Sequence, residues 1–333
     1  MAGLHLASSV VHFKFERLLF HLVHRRMRGS REFFDCFVRH PIHHARKLFL
    51  RDCSVRYQRR LLRPLPMALK MKADNFSLDA YFTRVGYQGA PSADIDTVRA
   101  LMRQQLFTVP FENLDVQAGK IVSLVPEEIV EKIVCRKRGG YCYEVNGLFA
   151  MALEALGIGY QFVAARPMFY PVRRPKTHMA IVATIDEAKW LCDLGFGSYG
   201  IRAPMRLDAE EAEVRQDDDF FVLGKDGQAG YLLRALVDGE WANQYAFDLS
   251  PQEWIDFAPA NYLNSTHPDA VFVQKLLVVL HSPEGRSILF GDSLKTIERG
   301  RVKKQTVAQH QRDSILARIF GLPGMNDPVP TSS

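Results

Sequence analysis

The chain has 333 residues, of which 47% are apolar, 11% aromatic and 24% charged. This composition is typical of a globular protein with a substantial core, and it excludes a mainly disordered chain or a small disulfide-stapled domain. Five cysteines without CxxC spacing indicate neither a zinc site nor a disulfide framework, so we expect no metal and a reduced, cytoplasmic setting. No apolar run approaches the roughly 20 residues of a membrane helix, and we expect no membrane association.

The net charge of +6 is unevenly distributed along the chain. The first 70 residues contain 15 Lys and Arg against 4 Asp and Glu, and the rest of the chain is net acidic. Apolar residues at helical spacing there favour a basic amphipathic helix, whose composition is shared by nucleic-acid arms, membrane anchors and transit-like peptides. The abrupt change of composition near residue 66 favours a different interpretation. We expect 1–70 to be an extension that is disordered or absent from the mature protein, and no nucleic acid as a partner.

Helices are predicted for most of the chain from residue 71 to Gly157. Ser77 or Asn75 can cap a first helical stretch, which continues after a turn as far as Leu106. Pro126 opens a further helix, with acidic residues in its first turn.

Antiparallel β structure is predicted beyond Gly157. Short apolar runs bounded by turn residues indicate strands over 160–164, 179–185, 190–192 and 220–223. The last stretch is mixed. It predicts a strand over 272–279, a helix from about 307 to 319 and a loose tail.

Cys142 follows two glycines and directly precedes a helical pattern that Gly157 closes. The cysteine is therefore predicted in the first turn of a helix. Unpaired backbone N–H groups and the positive end of the helix dipole stabilise a thiolate at such a position. The alternative interpretation is that Cys142 is a small buried hydrophobic residue.

His178 and Asp193 are predicted to face each other across a β-hairpin. The apolar runs that contain them flank a polar turn, and a hairpin centred near residues 185 and 186 pairs the two directly. Opposed residues have Cβ atoms about 4.5 to 5.5 Å apart, which allows an imidazole to bond to a carboxylate. A purely structural His–Asp contact would fit equally well. Together with Cys142, the pair gives the Cys-His-Asp order of thiol acyltransferases and hydrolases.

The segment 195–200 satisfies the GxGxxG pattern but does not open a helix, so it fails as a dinucleotide-binding fingerprint. Its glycines fit either an N–H nest for a phosphate or carbonyl oxygen, or a plain turn at the end of a hairpin.

Four motifs together resemble the arylamine N-acetyltransferase family over residues 72 to 322. The segment 138–149 resembles the nucleophile motif of that family, and 109–114 resembles its PFENL signature. Thr177-His178, the segment 193–197 and the segment 265–268 follow in the expected order.

The resemblance implies an α+β fold with a helical N-terminal domain, an antiparallel β-barrel domain and an α/β lid, around a core like that of cysteine proteinases. The implied divisions are a basic extension 1–70, a helical domain 71–157, a barrel 158–262, a lid 263–322 and a tail 323–333.

The resemblance also implies a chemistry. Acetyl-coenzyme A is the implied donor and co-substrate, and the implied acceptors are arylamines, arylhydrazines or N-hydroxyarylamines, with the enzyme a monomer or homo-oligomer. The implied site residues are the triad Cys142, His178 and Asp193, the supporting Arg84, Glu112 and Arg138, and the substrate or coenzyme contacts Phe111, Gly195, Phe196, Gly197, Ser198 and Thr266. Three alternatives remain: an amide synthase or a thiol hydrolase with the same triad, and a non-enzymatic basic adaptor built around residues 1–70.

Overall fold

The computed structural model describes residues 71–209, 211–227 and 230–322. The predictions for 1–70 and for the tail 323–333 lie outside these residues. Among the described residues, none of the helices combines the length and the apolar composition that a membrane span requires.

The first part of the described chain is helical, as predicted. Its helices are α1 (Leu78–Val85), α2 (Ile95–Thr108), α3 (Leu114–Gln117), α4 (Pro126–Val130) and α5 (Cys142–Ala155), with a two-residue strand β1 (Phe111–Glu112) before α3. A π turn, Glu131–Cys135, continues α4. Ser77 caps α1, because its hydroxyl oxygen accepts the Ala80 N–H at 3.2 Å.

A curled antiparallel sheet of eight strands follows. Its strands are β2 (Gly159–Pro167), β3 (His178–Ile185), β4 (Ala188–Cys192), β5 (Met205–Arg206), β6 (Glu213–Gln216), β7 (Asp219–Asp226), β8 (Gly230–Val237) and β9 (Glu240–Asp248). The four strands predicted before residue 224 lie within β2, β3, β4 and β7. The order is β5-β4-β3-β2-β9-β8-β7-β6, and among the described strands no pairing joins β5 to β6. The predicted antiparallel β structure is therefore confirmed, but among the described strands it forms an open half-barrel and not the closed barrel that the resemblance implies.

The last part of the chain builds a second antiparallel sheet, in the order β1-β10-β11-β12-β13. Its new strands are β10 (Leu277–Ser282), β11 (Gly285–Phe290), β12 (Ser293–Glu298) and β13 (Arg301–Thr306). The helices of this part are α6 (Ala258–Thr266), α7 (Val271–Gln274) and α8 (Arg312–Phe320), with 3₁₀ turns Trp254–Phe257 and Gln309–Gln311. The implied boundary between residues 262 and 263 falls inside α6.

Two predicted elements of this last part were wrong in their bounds. Phe272 belongs to α7, and the predicted strand begins only at Leu277. The Phe272 carbonyl accepts hydrogen bonds from the side-chain amides of Asn113 and Gln117, both at 2.7 Å. These amides take the place of a neighbouring strand, so the chain can turn there. Likewise α8 begins at Arg312, after a 3₁₀ turn, and not at 307.

Helix α5 is almost entirely buried. Twelve of its 14 residues are buried, including every residue from Cys142 to Leu153. A helix that is buried on all sides belongs in the interior, and α5 packs against α4, β2 and β3. Both the half-barrel and the helices therefore contact the element on which Cys142 lies.

Candidate active site

Cys142 is the first residue of α5, as predicted, and Tyr141 is the N-cap. Two backbone bonds hold Gly140 against β1 and the residue before it: the Gly140 N–H donates to Pro110 O at 3.2 Å, and the Glu112 N–H donates to Gly140 O at 3.0 Å. A Cβ atom on Gly139 would overlap the Pro110 carbonyl oxygen. Glycine is therefore required there for the chain to pass so close to β1.

The chain also passes close to Cys142 on its other side, at Gly195. A Cβ atom on Gly195 would overlap Cys142 Cα and would lie 3.0 Å from Asn146 Nδ2. The backbone that follows Asp193 therefore packs directly on the first turn of α5.

The β3–β4 hairpin has a different register from the predicted one. Its turn consists of Asp186 and Glu187, both in the left-handed region with φ of 47° and 64°, and the ladder pairs Ile181 with Cys192. This is the two-residue turn that matches the twist of paired strands. The hairpin is centred between 186 and 187, one position beyond the predicted centre.

This shift of centre means that His178 and Asp193 are not directly opposed. Continued by one residue, the register places Asp193 opposite Ala180, two positions from His178. Side chains alternate between the faces of a strand with period two, so a shift of two keeps both side chains on one face, as diagonal neighbours. The predicted pairing was therefore wrong, but the predicted contact forms.

His178 and Asp193 are buried, with His178 Nε2 lying 2.7 Å from Asp193 Oδ2. Burial opposes the charged ring, but the Asp193 carboxylate and a further side-chain contact with Cys142 outweigh it and raise the pKa of His178 to about 10. Asp193 holds Nε2, which leaves Nδ1 as the ring nitrogen for Cys142. The structure therefore brings the three predicted side chains together.

Asn146 and the Gly195 backbone complete the surroundings of Asp193. Asp193 Oδ1 accepts from Asn146 Nδ2 at 3.1 Å and from the Gly195 N–H at 2.9 Å, while Asn146 Oδ1 accepts the Leu194 N–H at 2.9 Å. Burial raises the pKa of Asp193, but His178, followed by these donors, outweighs it, and the net pKa is lowered. The sequence analysis missed Asn146 as a site residue. Its position four residues after Cys142, on the same face of α5, was the available signal.

Tyr245, on β9, is a second residue that the sequence analysis missed. Its ring lies 5.0 Å from the His178 ring and 4.9 Å from that of Phe196. Burial, followed by the charge of Asp193, raises the pKa of the Tyr245 hydroxyl well above its usual range. No local motif marks Tyr245, because it reaches the site only through the pairing of β9 with β2.

The loop after Asp193 carries most of the predicted contact residues. Phe196 lies edge-on to the His178 ring at 5.1 Å, and it also contacts Phe169, which is 54% exposed. The Phe111 ring would meet a Cβ atom on Gly197 at 3.8 Å. An aromatic surface therefore leads from solvent to His178.

Two predicted contacts, Ser198 and Thr266, face other partners. The Ser198 carbonyl accepts from Arg286 Nη1 at 2.5 Å, which ties the loop to β11. Thr266 is exposed at the end of α6, where its hydroxyl donates to Tyr262 O at 2.7 Å. Among the described residues, Thr266 makes no hydrogen bond to the cluster around Cys142.

The three predicted supporting charges are partly or fully buried near this site, but Arg84 and Glu112 do not pair with each other. Glu112 Oε1 accepts from Arg138 at 2.7 Å. Arg84 instead donates to backbone carbonyls, those of Ile133 at 2.7 Å, Thr108 at 2.8 Å and Arg138 at 3.1 Å. Burial lowers the pKa of Arg84 to about 10.

The sequence profile of the N-acetyltransferase family matches residues 94–326, which is more than half of the chain. The chain belongs to the arylamine N-acetyltransferase family. It is accordingly an enzyme, an acyltransferase. The arylamine N-acetyltransferase of Escherichia coli K12 is 33% identical over 210 residues, which cover 62% of this chain and 74% of the relative.

Solved arylamine N-acetyltransferases have the same fold. The structure from Mycobacterium abscessus superposes with a TM-score of 0.72 at 30% identity, covering 78% of this chain and 94% of that one. The structure from Mycobacterium marinum in complex with CoA superposes with a TM-score of 0.70, also at 30% identity, covering 74% and 92%. The α+β architecture is therefore that of the arylamine N-acetyltransferases.

Proposed function

We propose that the protein transfers an acetyl group from acetyl-coenzyme A to arylamines, arylhydrazines or N-hydroxyarylamines, by a ping-pong mechanism through an acetyl-Cys142 intermediate. The observation that carries this proposal is the contact of His178 with both Cys142 and Asp193 in one buried cluster. Family membership supports acetyl transfer to aromatic amines, and the CoA bound to the M. marinum relative supports the donor.

In the first half-reaction, His178 holds the proton of Cys142, and the Cys142 sulfur attacks the carbonyl carbon of the thioester. The thioester C–S bond breaks, and the departing coenzyme A sulfur takes the proton from His178. In this scheme the N–H groups at the start of α5 that lack an acceptor within the helix, including that of Cys142, donate to the transient oxyanion. The products are acetyl-Cys142 and free coenzyme A.

In the second half-reaction, the aromatic amine attacks the acetyl carbon. An aromatic amine is weakly basic and is therefore neutral near pH 7, so its nitrogen lone pair is available. His178 accepts the proton that the amine loses, and the bond between the acetyl carbon and Cys142 breaks. The raised pKa of His178 favours return of the enzyme to the state in which the ring is protonated.

The aromatic surface formed by Phe169 and Phe196 supports the assignment of the acceptor class. A flat aromatic amine can pack edge-on or offset against such rings, and each such pair contributes about 0.5 to 1.5 kcal/mol. Phe196 contacts the His178 ring directly, so an amine held there has its nitrogen near the proposed base.

Intact-mass measurement after incubation with acetyl-coenzyme A alone tests the intermediate. We expect the wild-type protein to gain one acetyl group at Cys142, and Cys142→Ser to lose acetyl transfer by about 10⁴-fold or more. Cys135→Ser is the matched control, because Cys135 is an exposed thiol at the end of the π turn, and its activity stays unchanged.

The same experiment separates the alternatives. An acetyl group that is lost rapidly to water without an amine would favour a thiol hydrolase. A protein that accepts only large acyl donors would be an amide synthase. Normal turnover by Cys142→Ser would overturn the mechanism.

A further inference from the structure

A buried cluster of opposite charges lies beside the start of α5 and has no part in the mechanism described above. At its centre is Lys132, from the π turn, whose Nζ lies 2.7 Å from Glu144 Oε1 and 2.6 Å from Asp115 Oδ2. Glu112 Oε1 lies 3.7 Å away. Glu144 is only two residues from Cys142, so this cluster is close to the proposed nucleophile.

The second oxygen of Glu144 bonds to the backbone at the helix start. Glu144 is the third residue of α5, and its Oε2 accepts the N–H of the N-cap residue Tyr141 at 3.0 Å. This is one half of a capping box, in which a side chain in the first turn reaches back to the cap. The bond fixes the backbone immediately before Cys142, whose own N–H has no acceptor within the helix.

The packing of Gly140 shows how closely the carboxylate fits against the backbone. A Cβ atom on Gly140 would lie 2.7 Å from both Cβ and Oε2 of Glu144. The second glycine of the nucleophile motif therefore leaves the space that the Glu144 carboxylate occupies.

A carboxylate this close to Cys142 would oppose a thiolate, and Lys132 offsets that charge. Burial raises the pKa of Glu144 to about 7, against the opposing effect of Lys132. Three other charged groups face the carboxylate from neighbouring elements. They are Glu112 on β1, Asp115 on α3, and Arg138, which directly precedes the two glycines before α5. Glu144 thus supplies a hydrogen-bond acceptor at the start of α5, and the positive charge of Lys132 compensates the negative charge of its carboxylate.

We propose that Glu144 is a positioning residue for the acylation of Cys142. Its carboxylate acts through the Tyr141 N–H to hold the start of α5, and with it the Cys142 sulfur and the neighbouring N–H donors, in the reactive arrangement. Lys132 neutralises the charge that this contact brings near the sulfur. The inference rests on the proposed function for the identity of the reaction, but not for the contact itself.

Two variants of equal charge test the proposal. Glu144→Gln keeps a side-chain oxygen that can accept the Tyr141 N–H, whereas Glu144→Met keeps a similar volume without an acceptor. Single-turnover release of coenzyme A measures acylation, and iodoacetamide alkylation of Cys142 measures thiol reactivity. We expect Glu144→Gln to stay within about threefold of wild type, and Glu144→Met to be slower by about tenfold or more in both assays.

Amide hydrogen exchange at Tyr141 supplies the structural readout. Exchange is expected to be slow in the wild type and in Glu144→Gln, and faster in Glu144→Met. Should Glu144→Met fail to fold, Gly140→Ala perturbs the same contact from the backbone side, since its Cβ would displace Glu144 Oε2. We expect Gly140→Ala to slow alkylation both in the wild-type background and in Glu144→Gln, because both keep the side-chain acceptor for the Tyr141 N–H that the added Cβ displaces.

Equal rates for the Gln and Met variants would overturn the proposal, whether both match wild type or both fall together. The first result would mean that the cap does not position Cys142, and the second that charge, not hydrogen-bond acceptance, is what matters. Alkylation and exchange do not depend on acetyl-coenzyme A. If wild-type Cys142 is alkylated but never acetylated, the proposed function fails, and the alkylation rates of the variants still decide the role of Glu144.

Discussion

The two sides of the site hold their reactive groups by different means. On the helical side, close backbone packing places Cys142: Gly139 passes against Pro110, and Gly195 passes against Cys142 itself. On the sheet side, hydrogen bonds between buried polar side chains place His178 and Asp193. The helical side is therefore sensitive to added volume, and the sheet side to lost charge.

The largest expected effect tests the sheet side by removing charge and little volume. Asp193→Asn leaves His178 buried without its carboxylate, and breaking a buried pair in this way costs about 3 kcal/mol of unfolding free energy. We expect acetyl transfer to fall by about 10³- to 10⁴-fold, as measured by single-turnover acylation.

The pH dependence of the unfolding free energy tests whether the loss of stability in Asp193→Asn comes from the charged His178–Asp193 pair. The folded-state pKa of His178 is raised to about 10, above its ordinary value of 6.5. The charged ring therefore contributes stability in full below about pH 6.5, and this contribution is lost as the pH rises towards 10. The difference in unfolding free energy between wild type and Asp193→Asn should be widest near pH 6.5 and should narrow towards pH 10. A difference that stays constant across this range would contradict the charged pair.

A smaller effect tests the helical side by adding volume without changing charge. The methyl group of Gly195→Ala would overlap Cys142 Cα, so the loop and the helix start must separate. We expect a loss of about 1 to 3 kcal/mol in unfolding free energy and acylation slower by about 100-fold.

Gly157→Ala is the matched control for Gly195→Ala. Gly157 has φ of +73° and no heavy atom within 4 Å of an added Cβ, so its substitution introduces backbone strain but no overlap. It should cost about 1 to 2 kcal/mol of stability and leave acylation unchanged. Equal effects of the two variants on acylation would contradict the importance of close packing at Cys142.

The weakest effect is expected at the cap of α1, which is not one of the contacts that place Cys142, His178 and Asp193. Ser77→Ala removes the cap of α1 and should cost about 1 kcal/mol of unfolding free energy with unchanged acetyl transfer. Thr83→Ala is the control, because the Thr83 hydroxyl only donates to Asp79 O within the exposed part of the same helix. A loss of transfer in Ser77→Ala would show that α1 influences the site more directly than its cap contact suggests.

Local sequence patterns predicted the elements that carry the site better than they predicted how the elements meet. The glycines and the apolar pattern placed Cys142 at a helix start, and the polar turn placed a hairpin between His178 and Asp193. The register was predicted wrongly because Asp186 and Glu187 both adopt positive φ, which sequence periodicity does not reveal. The contact still forms because the predicted pairing was wrong by two residues, and an even shift leaves both side chains on the same face of the sheet.

Other features depend on contacts between distant parts of the chain. Tyr245 reaches His178 through the pairing of β9 with β2, and Phe272 leaves the predicted strand because Asn113 satisfies its carbonyl from far along the chain. No local sequence pattern indicates either contact. Asn146 differs, because helical spacing from Cys142 could have identified it.

The guanidinium of Arg84 extends these relations to the first described helix. It joins α1 to the end of α2, to the π turn and to the residues just before Gly139, in each case by donating to a main-chain carbonyl oxygen. Detachment of α1 would leave these partly buried carbonyls without their donor, so the three segments are expected to open together as a single cooperative unit. A helix that begins 64 residues before Cys142 is in this sense part of the structure that holds the backbone leading into α5.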